Sequence, residues 1–247
     1  MSQIIYIGVD DTDIVGSVGT GRVARGLASR LVELGLGESL GVGRHQLLVD
    51  ERIKYTSHNS CKSLAFKTDK SVTEFYQPSV DYIKEVFQSG SDPGLCIAPE
   101  DVADEEIIRY GKRAITEVLT MQEAVDLAAR HRIFLKGLGG DNGGMIGALA
   151  SVGLRAWGNE GRLVDLAGTN EIKGLITVAD LLARTPIRSV QDINGKPVNK
   201  NEIVDSLDWM KPSLVGGQPV LRVSPVKGSA GNRIWLNVEK RNKGGDD

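Results

Sequence analysis

Asp10, Asp11 and Asp13 place three carboxylates within four consecutive residues, at the end of the β-branched and aromatic run Gln3-Ile4-Ile5-Tyr6-Ile7-Gly8-Val9. Negative charges packed so closely repel one another unless a cation, hydrogen-bond donors or solvent relieves them. A hard cation relieves them best. Magnesium takes oxygen ligands, usually one or two carboxylates together with substrate phosphates, and a strand tip presents such ligands rigidly. The simpler alternative is a solvated acidic turn in which Thr12 or Asp13 caps a neighbouring segment. Asp10 and Asp11 are read as candidate catalytic residues, and Asp10, Asp11 and Asp13 together as the candidate magnesium site.

Two glycine-rich segments add context. Gly16-Ser17-Val18-Gly19-Thr20-Gly21-Arg22 opens directly into a helical pattern. Exposed backbone N–H groups and the helix dipole favour a phosphate there, with Gly19 and Gly21 as the nucleotide-facing positions. The segment matches neither the Walker A pattern nor the Rossmann order of glycines. Gly137-Leu138-Gly139-Gly140-Asp141-Asn142-Gly143-Gly144 repeats the arrangement. Gly140, Gly143 and Gly144 allow close backbone approach, Asp141 and Asn142 add oxygen and amide groups, and Lys136 stands by to neutralise phosphate charge. Tight turns that only permit close packing would account for either loop taken alone, and a lysine after a strand is ordinary surface chemistry. The stretch Tyr55-Thr56-Ser57-His58-Asn59-Ser60-Cys61-Lys62 is dense in hydrogen-bonding groups and reads as a loop. His58 and Asn59 are its candidate substrate contacts, although an ordinary exposed connection has the same composition. His45 and His131 have no ligand partners at metal spacing and read as structural.

These residues need elements to carry them. The run 3–9 reads as a buried strand, and Val23, Leu27, Leu31 and Leu34 keep the spacing of one helical face before glycines at 35 and 37 stop it. Strand-like runs come next at 41–49 and 63–67. A helix with Val80, Ile83, Val86 and Phe87 is expected after Pro78, and then the apolar run Leu95-Cys96-Ile97-Ala98. The order β-α-β-β-α-β is that of a ferredoxin-like sandwich. After Pro99 the pattern predicts helices at 107–118 and 121–130, the second opened by a Thr120–Glu123 capping box. A strand at 133–135 then leads through the glycine loop into a small-residue helix across 148–152. A short helix begins near Thr177, strand candidates lie at 220–223 and 234–238, and 240–247 reads as a frayed terminus. The expected division is a ferredoxin-like domain over 1–99, a second α/β domain with the glycine loop over 100–175 and a strand-containing C-terminal segment over 176–247, an α+β chain overall.

Composition narrows the class. The 247 residues carry a formal net charge of −2, so the bulk electrostatics do not advertise nucleic-acid binding. No apolar run approaches bilayer length and no basic leader precedes the first strand, so no membrane association and a cytoplasmic location are expected. Two cysteines, Cys61 and Cys96, exclude a disulfide scaffold and a four-cysteine zinc site.

Taken in order, these pieces resemble the archaeal isoleucine-tRNA agmatinylcytidine synthetase family, which modifies an anticodon cytidine using ATP and agmatine. Gly8-Val9-Asp10-Asp11-Thr12-Asp13 is similar to its N-terminal signature, and Asp92-Pro93-Gly94 to its Asn-Pro-Gly turn. Residues 143–153 are similar to its glycine-led Ile-Gly-Ala-Leu-Ala helix, and the resemblance covers roughly residues 4–165. It implies a ferredoxin-like domain beside an unusual kinase-like one, with ATP split by magnesium-assisted phosphoryl transfer. Thr20 stands where the family carries a threonine that is itself phosphorylated, which makes Thr20 a candidate catalytic residue. Asn142 and the neighbouring glycines would line the phosphate site.

The chain also departs from that family. The family continues into an oligonucleotide-binding barrel and a cysteine-rich zinc ribbon, both used to hold tRNA, and here there are neither zinc-ribbon cysteines nor sequence for both modules. The family's basic Lys-Thr-Arg-Gly-Asn run is replaced by Thr56-Ser57-His58-Asn59-Ser60, and loss of positive charge there weakens the case for RNA. The expectation is therefore an ATP- and magnesium-dependent phosphotransferase or synthetase acting on a small-molecule acceptor. Two alternatives stay open: an RNA-modifying enzyme that needs a partner chain, and a nucleotide-binding regulatory protein without catalysis.

Overall fold

The computed structural model describes residues 2–56, 58–207, 209–227 and 233–237. The chain forms two compact units, one ending at Trp157 and the other beginning at Gly158. The boundary expected at 99 falls inside the first unit and that expected at 175 inside the second.

In the first unit, β1 (Gln3–Asp10), α1 (Thr20–Glu33), β2 (Glu38–Gln46), β3 (Ser60–Thr68), α2 (Tyr76–Val86) and β4 (Gly94–Pro99) keep the expected order. Beyond them lie α3 (Glu105–Thr116), α4 (Met121–Arg130), β5 (Phe134–Gly137) and α5 (Gly144–Trp157). The strands lie side by side in the order β5-β4-β1-β3-β2, and every neighbouring pair is antiparallel. Alternation along β1 divides its side chains between two faces. Tyr6 joins a core built with Ala65, Cys96 and Ala98 and with α3, α4 and α5. Ile5, Ile7 and Val9 alternate with it and are fully buried. The capping box expected at Thr120 is present, with the Glu123 amide donating to Thr120 Oγ1 at 3.2 Å and the Thr120 amide donating to Glu123 Oε2 at 2.9 Å.

Two expectations shift. The second helix begins at Tyr76, ahead of Pro78, because a proline in the first turn lacks only an N–H that would have no partner within the helix. Ser60, Cys61 and Lys62, read as loop, are the first residues of β3, since the register pairs Lys62 with Val9 and Cys61 with His45. Pairing with partners distant in sequence overrides a polar local composition.

The small-residue helix α5 packs against β1, β3 and β4. Glycines set how closely it lies. A Cβ on Gly8 would collide with the Ala148 carbonyl oxygen, and one on Gly94 with the backbone of Gly144 and Met145. That close seat brings the first turn of α5 against the end of β1.

The second unit contains β6 (Arg162–Asp165), β7 (Leu175–Thr177), α6 (Val178–Arg184), β8 (Ser189–Asp192), β9 (Ile203–Asp205), β10 (Ser213–Val215), β11 (Gln218–Lys227) and β12 (Arg233–Asn237). Its strand order is β6-β10-β11-β12-β9-β7, with β8 parallel to β11. Leu163, Val178, Leu181, Leu221, Val223 and Trp235 contribute to its core. The two strands expected here become β11 and β12, with Val238 outside the described residues, as is the terminus expected over 240–247. Several strands of three or four residues were not legible in the sequence, because runs that short carry no periodicity. No helix among the described residues is long and apolar enough to cross a membrane.

Candidate active site

A cavity of about 210 Å³ opens in the first unit at the tip of β1. Asp10, Asp11, Asp13 and Thr20 line it from one side, and Asp141, Gly143, Gly144 and Gly147 from the glycine loop and the start of α5. Asp92, the loop residues Arg52, Lys54, Thr56, His58 and Asn59, the start of β3 with Lys62, and Glu117 add to the wall, together with apolar side chains that include Leu47, Leu119 and Ile146.

Asp10 is the last residue of β1, and Gly147 leaves it room: a Cβ there would overlap the Asp10 Oδ2. Burial, and after it the negative charge of Asp11, pushes the Asp10 carboxyl up to about 8, against the pull of the Lys62 ammonium. Asp11 is pushed up to about 6 by burial and then by the charges of Asp92 and Asp13, with Lys54 opposing. Asp11 also holds a left-handed backbone with φ 52°, a conformation that costs a non-glycine residue energy and turns the chain sharply after the strand.

Asp13 has another partner. Its Oδ1 accepts the Thr20 hydroxyl at 2.5 Å and the Thr20 amide at 3.2 Å, so it caps α1, whose N-cap Gly19 has no side chain. Thr20 Oγ1 in turn accepts from the Thr12 amide at 3.2 Å and the Thr12 hydroxyl at 3.1 Å. Of the three carboxylates expected to hold magnesium, Asp13 thus has its Oδ1 engaged by Thr20. Among the described residues no three His, Cys, Asp or Glu side chains are gathered so as to hold a metal by themselves. Asp10 and Asp11 nevertheless suit a magnesium ion, which needs only one or two carboxylates when phosphates supply the rest. Burial first, and then neighbouring carboxylates, hold both above the ordinary carboxylate range, and a bound cation would act in the opposite direction.

The glycine loop is also capped from within. Asp92 Oδ1 accepts the Asp141 amide at 2.7 Å, Asp141 Oδ1 accepts the Gly143 amide at 2.9 Å, and the Asp92 carbonyl accepts the Gly144 amide at 2.9 Å. Gly140 at φ 57° and Asn142 at φ 65° turn the loop, and a Cβ on Gly140 would overlap the Asp92 carboxylate. Carboxylates therefore hold amides that the glycine pattern alone assigns to phosphate. Lys54 Nζ closes the set, 2.9 Å from Asp92 Oδ2 and 3.2 Å from Asp141 Oδ2. Partial burial raises the Asp92 carboxyl, but the Asp141 amide and Lys54 outweigh it and the net shift is downward.

Of the residues singled out in the sequence, Asp10, Asp11, Asp13, Thr20, His58, Asn59, Asp141, Gly143 and Gly144 meet at this cavity. Asn59 does so with its side-chain nitrogen committed to the Leu48 carbonyl at 2.6 Å, which ties the loop to the end of β2. Gly19 and Gly21 flank Thr20 without lining the cavity, Gly140 and Asn142 shape the loop behind it, and Lys136 is exposed on β5 away from it. Sequence reasoning missed Lys54, Lys62, Asp92 and Gly147 as site residues. Lys62 is 1% exposed inside β3, a burial that its reading as a loop residue did not reveal. Asp92 read only as part of a turn.

No family model and no curated protein matches the sequence. Solved structures do. The complex of TiaS with an isoleucine tRNA and ATP is 27% identical to this chain and covers 61% of it with a TM-score of 0.54. Over that stretch the chain is similar to TiaS. The complex of TiaS with the same tRNA, AMPCPP and agmatine matches at 26% identity and TM-score 0.53, and apo TiaS, a tRNA agmatidine synthetase, at 26% and 0.52, each over 61% of this chain. The matches cover 36%, 36% and 35% of those chains, so this chain spans about a third of TiaS. The resemblance read from the sequence and this likeness in three dimensions point to the same protein.

Proposed function

We infer that the protein is an ATP-dependent phosphotransferase or synthetase that binds the nucleotide's phosphates in the cavity at the end of β1. The observation that carries this reading is the meeting of Asp10, Asp11 and Thr20 with the glycine loop and the start of α5 around one space. The solved TiaS complexes with ATP and AMPCPP support the choice of nucleotide. The strand order β4-β1-β3-β2 with its α1 and α2 connections supports a ferredoxin-like reading of residues 1–99, and the glycine loop leading into α5 supports the kinase-like reading for the part of 100–175 that lies in the first unit.

Phosphoryl transfer depends on positioning and on neutralising charge rather than on elaborate covalent chemistry. A magnesium ion held by Asp10 and Asp11 would supply the neutralisation. Thr20 Oγ1 is the nucleophile of this scheme. It forms a bond to the γ-phosphorus, the bond from that phosphorus to the β–γ bridging oxygen breaks, ADP leaves, and the hydroxyl proton passes to Asp13. Thr12 holds the oxygen in place through both of its donors. The test is calorimetric binding of ATP with and without magnesium, joined to mass spectrometry of Thr20 after incubation with ATP. Binding that survives replacement of Asp10 and Asp11 by Ala would sink the reading.

The final acceptor in this reading is a small molecule, as the uncharged stretch 56–60 suggests. An RNA acceptor is the second reading, and a specific observation favours it: two of the similar structures are complexes with an isoleucine tRNA. Salt-dependent tRNA binding separates the two, because a phosphate-contacting surface loses affinity steeply as salt rises.

A further inference from the structure

An acidic cavity is a poor place for a polyphosphate unless a cation can be moved to meet it. Six acidic side chains line this one, Asp10, Asp11, Asp13, Asp92, Glu117 and Asp141, against three basic ones, Arg52, Lys54 and Lys62. The basic three differ in how they are anchored. Lys62 is 1% exposed and held in β3, with its ammonium on the Ser60 carbonyl at 3.2 Å and the Ser60 hydroxyl at 3.1 Å. Arg52 is clasped by Asp50 on its own turn, through two bonds of 2.7 Å. Lys54 has a side chain 77% exposed, and both of its carboxylate partners belong to other segments, Asp92 before β4 and Asp141 in the glycine loop.

We propose that Lys54 is a phosphate-binding residue of this site, whose ammonium exchanges the Asp92–Asp141 pair for the terminal phosphates of the nucleotide. The inference rests on the ATP reading above and goes beyond it, since no sequence motif marked Lys54. Three features carry it. The Lys54–Asp141 arm is exposed on both sides and therefore weak, and Asp92, with a side chain 9% exposed, keeps the Asp141 amide as a donor when Lys54 leaves. The flexible four-carbon stem lets an ammonium swing between partners as a point charge, which a guanidinium fork does less readily. The departure also unmasks the loop: with Lys54 gone, Asp141 is no longer pinned, and its side chain can release the Gly143 amide that it now occupies at 2.9 Å. A phosphate that draws Lys54 away thereby gains a second donor.

The experiment is calorimetric titration of the full chain with ATP and AMP, in the wild type, Lys54→Met and Lys54→Arg. Lys54 is exposed, so these variants should fold as the wild type does. The expected result is a loss of ATP affinity of about tenfold in Lys54→Met, with AMP affinity unchanged, and partial retention in Lys54→Arg. Equal ATP affinity in wild type and Lys54→Met, or equal losses for ATP and AMP, overturns the proposal. A wild type that binds no nucleotide overturns the functional reading instead. In that case inorganic tripolyphosphate is titrated into the same variants, and equal affinity of wild type and Lys54→Met, or no binding to either, removes Lys54 from the phosphate site.

Discussion

The Thr20 hydroxyl donates to Asp13 Oδ1 at 2.5 Å while both polar hydrogens of Thr12 point at the Thr20 hydroxyl oxygen. Thr20 is 5% exposed and Thr12 fully buried, so this network is fixed by the turn between β1 and α1 and meets the cavity only at Thr20 and Asp13. Thr20→Val keeps the volume and removes the hydroxyl, leaving Asp13 and Thr12 short of a partner. Stability measured by urea denaturation should fall by about 1–3 kcal/mol, the usual cost of unsatisfied buried polar groups. Thr20→Ser should recover most of the loss, and any ATP-dependent transfer should vanish in the valine variant.

The pH dependence comes from Asp10 and Asp11. Both fold with carboxyls above the ordinary value, at about 8 and about 6, so the folded protein binds their protons more tightly than the unfolded chain does. Their contribution to stability is fully present below the unfolded value near 4 and is lost as pH rises through 6 and then 8. Thermal unfolding of the wild type relative to Asp10→Asn should show the gap turning in favour of the asparagine variant as pH increases from 5 to 9. Added magnesium should narrow that gap at the alkaline end. A gap that stays flat across this range would mean that Asp10 is not held in the protonated form.

Asp92 behaves in the opposite sense. Its carboxyl is held low by the Asp141 amide and Lys54, so the stability it contributes is present above the unfolded value and is lost as pH falls through the folded one. Asp92→Asn should therefore cost stability at neutral pH and little at strongly acid pH. Hydrogen exchange of the Asp141 amide, which donates to the Asp92 carboxylate, should accelerate in the same variant.

Close approach of α5 to the sheet supplies another test. Gly8→Ala places a methyl group against the Ala148 carbonyl, and the backbone there cannot move without lifting the helix. Overpacking of this kind costs about 1–3 kcal/mol. Gly147→Ala pushes instead against the Asp10 carboxylate, so its effect should fall on magnesium and nucleotide binding more than on denaturation. Comparing the two variants separates the seat of the helix from the position of the carboxylate.

Local information was enough for much of this chain. The apolar run ending at Asp10, the helical spacing after Thr20, the Thr120–Glu123 capping box and the glycine loop before α5 are written in neighbouring residues, because propensity, capping and φ freedom act within a turn or a strand. The motif order that resembles the synthetase family is of the same kind, and it reached the proteins that the fold also reaches. What the cavity does with these residues was decided by contacts across long stretches of sequence. Asp13 looks like a metal ligand in the sequence, and in the fold one of its oxygens holds Thr20. The loop amides look open to phosphate and are held by Asp92 and Asp141, and Lys54 reaches its two partners across 38 and 87 residues. No periodicity encodes such partnerships, since they depend on where the sheet register and the close seat of α5 bring each charge. The carboxylates were legible one by one, and only the folded chain determined which of them has a partner.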